Sequence, residues 1–385
     1  MTSQTDPYDA LLLVSFGGPE GPDDVLPFLR NVTRGRGIPA DRLAEVGEHY
    51  QAFGGRSPIN DQCRALLAAI RADLSAAGID LPVYWGNRNW DPYLDDALAE
   101  MHRAGVRRAA CFVTSAYSSY SGCRQYRENL FDAVAGVATG STGTAAPAPR
   151  LDKLRHYFNH PGFLEPFVDG AVDALARLSA GGRHSPRLVY VTHSIPEAMN
   201  DVSGRVPGRP GAAYVRQHEE VARLVTARVT ELTGSRHSHD LVFCSRSGPP
   251  QVPWLEPDVN DHLERLAADG EADGVVVVPI GFVSDHMEVI YDLDTEASAT
   301  ADRLGLGFER VQTPGVDPRF VAMVRELLTE RAEVERGSVP ERVAAGGLGA
   351  WWDVCPVGCC ENLRDAARPA LCGVDSPDPA STVAP

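Results

Sequence analysis

The most constraining feature of this sequence is an alternation. Short apolar runs recur at Leu11–Phe16, Val83–Gly86, Ala109–Ser115, Leu154–Phe158, Leu188–Ser194, Leu241–Ser245 and Gly274–Ile280. Helical spacing follows at about 22–31, 40–51, 57–77, 94–104 and from 121. It resumes at 162–178, 210–232, 257–268, 286–303 and 317–336. An unbroken apolar run suits a strand buried on both faces, and intervening helices are the crossovers a parallel sheet requires. The low-complexity stretch 138–150, VATGSTGTAAPAP, interrupts the pattern, which then restarts. The expected fold is α/β: two similar Rossmann-like lobes, each a parallel sheet flanked by helices, with a cleft between them.

At 385 residues, 43% hydrophobic, the chain can fill two cores. The expected division is a first lobe at 1–152, a second at 153–336 and a cysteine-containing tail at 337–385, disordered over 375–385. A net charge of −16 excludes nucleic acid and anionic membrane as main partners. No apolar run reaches the roughly 18 residues of a membrane span. The opening MTSQTDPYDA lacks the pattern of a signal peptide. A cytoplasmic, reducing location is expected, where the eight cysteines are thiols or metal ligands. Lys153 is the only lysine.

In open α/β sheets, ligands collect beyond the carboxyl ends of strands. Polar residues stand there at Ser15, Thr114-Ser115, Thr192-His193-Ser194 and Ser245-Arg246-Ser247. Ser284 and Asp285 are suited to cap the helix after the 274–280 strand. On that helix Glu288, Asp292 and Glu296 recur every four residues and share a face. A solvated acidic face and a cation path fit this spacing equally well. His193 is either a structural hydrogen-bonder or, if Glu288 faces it, half of an Fe(II) or Zn(II) site with open positions.

The tail segment WWDVCPVGCCENLR places Cys355, Cys359 and Cys360 within six residues. Adjacent cysteines are poor spacing for structural zinc, whereas dense thiolates suit an iron–sulfur cluster with a fourth ligand from elsewhere. Cys63, Cys111, Cys123, Cys244 and Cys372 are the candidates. Cys111 and Cys244 lie in strands as core thiols, and Cys123, in the turn SSYSGCRQY, is the most accessible. Gly17-Gly18 and Gly54-Gly55 match neither a dinucleotide fingerprint nor a P-loop.

The segments LLLVSFGGPEGPDDVLPFLRNV, HYQAFGGRSPIN, TSAYSSYS, VTHSIP, SRSGPPQVPWLEP and PIGFVSDHMEVIYDLDTE resemble those of ferrochelatases, which insert Fe(II) into a porphyrin. The resemblance covers essentially residues 9–335 and implies a porphyrin cleft between the lobes. It implies that His193 is the active-site histidine and that Glu288 faces it across the porphyrin plane, both contacting the iron. It places Ser57 and Tyr126 against the porphyrin or its propionates. It also implies a [2Fe-2S] cluster on Cys123, Cys355, Cys359 and Cys360, with Cys372 left open as a replacement. Asp292 and Glu296 would form an outer relay for protons or cations, and a π-bulge would turn these side chains inward. Two departures stand out. Phe16 occupies the place of a tyrosine ligand found in some relatives. Thr33 aligns with a propionate-binding arginine, with Arg34 and Arg36 beside it.

Residues 19–39 carry Glu20, Asp23, Asp24, Arg30, Arg34 and Arg36 and no long apolar run, unlike the apolar lip of membrane-associated ferrochelatases. The expected reaction is therefore insertion of Fe(II) into coproporphyrin III, giving coproheme in heme biosynthesis. The expected enzyme is a monomer without nucleic-acid partners or stable membrane insertion, in transient contact with neighbouring heme-pathway enzymes. The alternatives are protoporphyrin IX as substrate, a cobalt or nickel chelatase, and a non-catalytic porphyrin or iron carrier with a sensing cluster.

Overall fold

The computed structural model describes residues 3–371 except 36, 141–146, 207 and 249. Arg36, Cys372 and the 375–385 segment, each singled out above, lie outside the described residues.

In chain order, β1 (Ala10–Ser15) leads through a 3-10 turn (Pro22–Asp24) to α1 (Val25–Val32), α2 (Ala40–Ala52) and α3 (Ile59–Ala76). Then come β2 (Val83–Asn87), α4 (Leu94–Arg103), β3 (Arg108–Val113), a π-helical turn (Tyr120–Arg124), α5 (Gln125–Thr139) and β4 (Arg150–Lys153). The second half runs α6 (Pro161–Ala180), β5 (Pro186–His193), α7 (Glu197–Val202), α8 (Ala213–Thr233), β6 (His239–Cys244), α9 (Val259–Asp269) and β7 (Gly274–Val278). It ends with α10 (Met287–Val289), a π-helix (Ile290–Ala297), α11 (Ser298–Leu304), β8 (Gly307–Arg310) and α12 (Pro318–Glu335).

The strands form two parallel four-stranded sheets, ordered β2-β1-β3-β4 and β6-β5-β7-β8. The same order appears twice, so the alternation in the sequence reflects a repeated architecture. Every residue of β1 (ALLLVS) and β7 (GVVVV) is buried, because helices cover both faces of each sheet. One core cluster runs through both halves, joining Leu11 and Phe112 to Phe163, Leu188, Val276 and Phe320. Helix α12 packs on both α3 and α6. Arg325 Nε donates to Asp73 Oδ2 at 2.7 Å, and Arg155 Nε to Glu330 Oε1 at 2.6 Å, across that junction.

Some local expectations are corrected. Leu154–Phe158 is not a strand; the fourth strand is Arg150–Lys153, and the apolar run after it is buried by side-chain packing. Tyr157 stacks on Phe112 and donates its hydroxyl to Val113 O at 2.9 Å. An apolar pentapeptide carries the same signal in either role. Ser284 and Asp285 do not cap a helix: helical structure begins at Met287 behind an extended His286 with no side-chain cap. Asp285 instead accepts from Arg310 Nη1 at 3.1 Å and Thr313 Oγ1 at 3.3 Å. Among the described residues, no helix is long and apolar enough to cross a membrane.

The tail lies against the body. Ala345 N donates to Asn159 O at 2.8 Å, Gly347 N to Glu220 Oε1 at 2.6 Å, and buried Trp351 meets Phe158 edge-on.

Candidate active site and cysteine cluster

His193 is the last residue of β5, so the strand aims it beyond the carboxyl edge of the second sheet. Its Nδ1–H donates to the carbonyl of Ser194, which leaves the Nε2 lone pair facing outward. The backbone at this point is held by a buried network. His218 Nδ1–H donates to Tyr214 O at 2.7 Å, so His218 Nε2 is the acceptor for the Thr192 hydroxyl at 2.9 Å. Tyr214 in turn donates to His193 O at 2.8 Å, with Thr192 Oγ1 also 2.8 Å away. Gly281, in the turn after β7, approaches so closely that an added Cβ would lie 2.1 Å from Thr192 Oγ1. That contact is why glycine is required there.

Glu288 Oε2 stands 3.7 Å from His193 Nε2 and 3.9 Å from His286 Nδ1. His286 was missed in the sequence, because a histidine after Asp285 carries no spacing signal of its own. Burial pushes its pKa down, and Glu288 opposes that. The expected π-helix is present at Ile290–Ala297. Asp292, on it, accepts a hydrogen bond from Ser245, and burial followed by the charges of Glu288 and Glu296 raises its pKa to about 7, against the effect of Ser245. Glu296 is exposed at the outer end. Of the three carboxylates only Asp292 is turned inward, while Glu288 and Glu296 on either side of it are exposed.

The first half closes over this segment. His49 stacks on Tyr291 at 4.0 Å between ring centroids, Gln62 Oε1 accepts from Asp285 N at 2.7 Å, and Tyr117 donates to Ile280 O at 2.9 Å. Ser57 and Tyr126 are both buried, Ser57 against Gly18 and Tyr126 under the guanidinium of Arg88 at 4.5 Å. Arg88 follows β2 and was also missed. It stacks over Phe16 and Tyr126, and donates to Asn129 Oδ1 at 2.8 Å and Ser121 O at 3.4 Å. Thr33 is satisfied locally, donating to Leu29 O at 2.7 Å.

Cys123, Cys355, Cys359 and Cys360 form one buried cluster with Val206 and Trp352. The expectation that Cys123 is accessible is wrong: it is fully buried, because residues 120–124 coil into a π-turn capped by Ser119. Cys123 Sγ lies 4.0 Å from Cys355 Sγ, and Cys359 Sγ 3.7 Å from Cys360 Sγ. Gly204 N donates to Cys360 Sγ at 3.4 Å, and Cys360 has a left-handed backbone, φ 56°. Such strain in a residue other than glycine marks a constrained site. Hydrogen bonds from Cys355 and Cys360, then His156 and Lys153, hold the Cys123 thiol well below its ordinary range. The other three are held high by sharing that negative charge and by burial. Cys63, Cys111 and Cys244 are buried elsewhere. Among the described residues, no group of three or more His, Cys, Asp or Glu is arranged as a ready cage for a metal ion; the sulfurs are paired at contact distance instead.

The segment around the cysteines is tied to α5. Arg127 Nη2 donates to Cys359 O at 3.0 Å and Nη1 to Leu371 O at 3.2 Å, while Asn362 Nδ2 donates to Glu128 Oε1 at 3.2 Å.

Residues 8–332 match the family model described as Ferrochelatase. The chain is 60% identical to the coproporphyrin III ferrochelatase of Streptomyces coelicolor, covering 96% of this chain and 97% of that protein. It is 59% identical to that of Streptomyces griseus, with the same coverage, and 45% identical to the ferrochelatase of Rhodopirellula baltica over 96% and 98%. Among solved structures it is similar to the sirohydrochlorin chelatase SirB from Bacillus subtilis subspecies spizizenii. The TM-score is 0.48 at 11% identity, over 86% of this chain and 97% of that one. With the family model spanning both sheets and carrying His193 and Glu288 within its bounds, the chain belongs to the ferrochelatase family.

Proposed function

We propose that this enzyme inserts Fe(II) into coproporphyrin III to give coproheme. The observation that carries the reading is the apposition of His193 and Glu288 at 3.7 Å beyond the strand ends. The names of the relatives at 60% and 59% identity support coproporphyrin III as the porphyrin. Metallation exchanges two pyrrole N–H protons for one Fe(II), so the site must hold a cation and accept protons. With Nδ1–H committed to Ser194, His193 offers Nε2 for either task. Glu288 supplies the charge that favours Fe(II) or a leaving proton. A planar ring touching both groups needs roughly 7 Å between them, twice a carbon–carbon contact. Glu288 lies in the first turn of the helical stretch that begins at Met287 and is 49% exposed, so it is the side chain that swings aside as the ring enters.

Asp292 and then Glu296 act as the outer relay. A carboxyl titrating near 7 can both take and release a proton at neutral pH. Arg88, whose direct bonds go to uncharged groups, is the cation available to a propionate, with Ser57 and Tyr126 supporting the wall beside it. The reading keeps a first lobe at 1–152, a second at 153–336 and the tail from 337, in a cytoplasmic monomer.

We further infer a [2Fe-2S] cluster on Cys123, Cys355, Cys359 and Cys360. Two thiolates on one tetrahedral metal stand about 3.8 Å apart, near the 3.7 and 4.0 Å separations of the two sulfur pairs. Four buried sulfurs sharing negative charge, with a strained cysteine among them, fit such a group. When bound, the cluster supplies one-electron redox chemistry, which metal insertion itself does not require.

Anaerobic mixing with Fe(II) and either porphyrin, followed by absorbance, tests the reaction. A higher kcat/KM for coproporphyrin III is expected, and preference for protoporphyrin IX overturns the substrate assignment. Iron and acid-labile sulfide, two of each per chain, test the cluster.

A further inference from the structure

His156 is 2% exposed, and its two ring nitrogens are in different situations. Nδ1 lies 3.0 Å from Ser118 Oγ. Nε2 is buried with no nitrogen or oxygen partner among the described residues, and the Cys123 sulfur is the side chain left to meet it. A buried polar atom left in this way destabilises the fold unless a bound group satisfies it. The sulfur of Cys123 lies beside this imidazole and interacts with it.

Neighbouring hydrogen bonds fix the proton on Nε2. Ser118 N–H donates to Gln217 Oε1 at 2.8 Å, which sets the orientation of the Gln217 amide. Gln217 Nε2 therefore donates to Ser118 Oγ, at 3.1 Å. That leaves the Ser118 hydroxyl hydrogen for His156 Nδ1, so the neutral ring carries its proton on Nε2. The cationic ring would carry one there too, so Nε2 is a donor in either protonation state. Ser118 and Gln217 are 0% exposed, so both contacts lie out of bulk solvent.

We propose that His156 donates an Nε2–H hydrogen bond to a sulfur of the [2Fe-2S] cluster and thereby sets its reduction potential, with Ser118 and Gln217 locking the tautomer. The proposal rests on the cluster assignment above. His156 is a positioning residue and not an iron ligand. Hydrogen bonds to cluster sulfur stabilise the reduced, more negative state and raise the potential.

The test uses the full-length protein loaded with iron and sulfide under anaerobic conditions. Iron and sulfide are first counted in the wild type; their absence sinks the cluster assignment, and this proposal with it, before any variant is made. In His156→Leu the iron and sulfide should remain while the potential becomes more negative, by roughly tenfold in the reduction equilibrium, the scale of one charge-assisted hydrogen bond. His156→Gln, which keeps an N–H donor, should recover part of the shift. Ser118→Ala should lie between wild type and His156→Leu, and it covers the case in which the leucine variant misfolds. Pulsed electron paramagnetic resonance of the reduced wild type should show a weak imidazole nitrogen coupling that disappears in His156→Leu, while coupling from the Gly204 backbone nitrogen persists. Potentials unchanged in His156→Leu and Ser118→Ala, or strong coupling diagnostic of a directly ligating imidazole, would overturn the proposal.

Discussion

Tyr214 donates its hydroxyl to the backbone carbonyl of His193 at 2.8 Å, which links the start of α8 to the end of β5. The bond is partly buried and joins the buried Thr192–His218 network, so the direction in which His193 leaves the sheet is set by a side chain 21 residues further on. Tyr214→Phe removes this donor and leaves a partly buried carbonyl underbonded. The expected cost is about 1–3 kcal/mol in stability, read by thermal or urea unfolding. A fall in kcat larger than the change in porphyrin KM is also expected.

The His193–Glu288 pair is tested directly. His193→Ala and Glu288→Gln should each lower iron insertion by about 10²–10⁴-fold, the usual range for a lost acid–base group. Melting temperatures should barely change, since both side chains are partly exposed. Wild-type rates in either variant would remove that residue from the mechanism.

Asp292 predicts a pH dependence of stability. Its carboxyl is raised from 3.8 to about 7 in the folded protein. Below both values it is protonated in either state and contributes nothing. As pH rises from about 4 to 7, the unfolded chain releases this proton while the folded chain holds it, so stability falls, and the full loss stands above 7. Asp292→Asn should therefore melt higher than wild type at pH 8 and equally near pH 4. A difference independent of pH would contradict the assignment.

Arg88 is expected to recognise a carboxylate. Arg88→Leu should raise KM for coproporphyrin III, with a smaller effect on a porphyrin bearing fewer propionates. One charged hydrogen bond corresponds to roughly tenfold or more. Equal KM changes for both porphyrins would point to a packing role.

Arg127 anchors the cysteine segment through the carbonyls of Cys359 and Leu371. Arg127→Met should expose residues 351–371 to limited proteolysis and lower bound iron and sulfide, while insertion of added Fe(II) persists. A tail that stays protected would show that the cluster or the tryptophans suffice to hold it.

Much of the fold was legible because its signals are local. Strand β7 is five consecutive buried apolar residues, and Glu288, Asp292 and Glu296 share a face through i,i+4 spacing alone. Where one local signal serves two structures, the sequence misled: Leu154–Phe158 looks like a strand and is loop packed in the core. Cys123 looked exposed because Gly and Ser surround it, yet its burial is set by the π-turn and by a tail that arrives 232 residues later.

By itself the sequence determined the alternation of strands and helices, the position of His193 at a strand end, and the placement of three carboxylates on one helical face. The tertiary structure decided what those residues can do. It brought His193 within 3.7 Å of Glu288 and lifted Asp292 to about 7. It also fixed the histidine tautomers and placed Cys123 against the tail cysteines while Cys63, Cys111 and Cys244 went into the core. Periodicity follows from backbone geometry over a few residues, whereas distance, burial and proton position depend on which distant segments pack together.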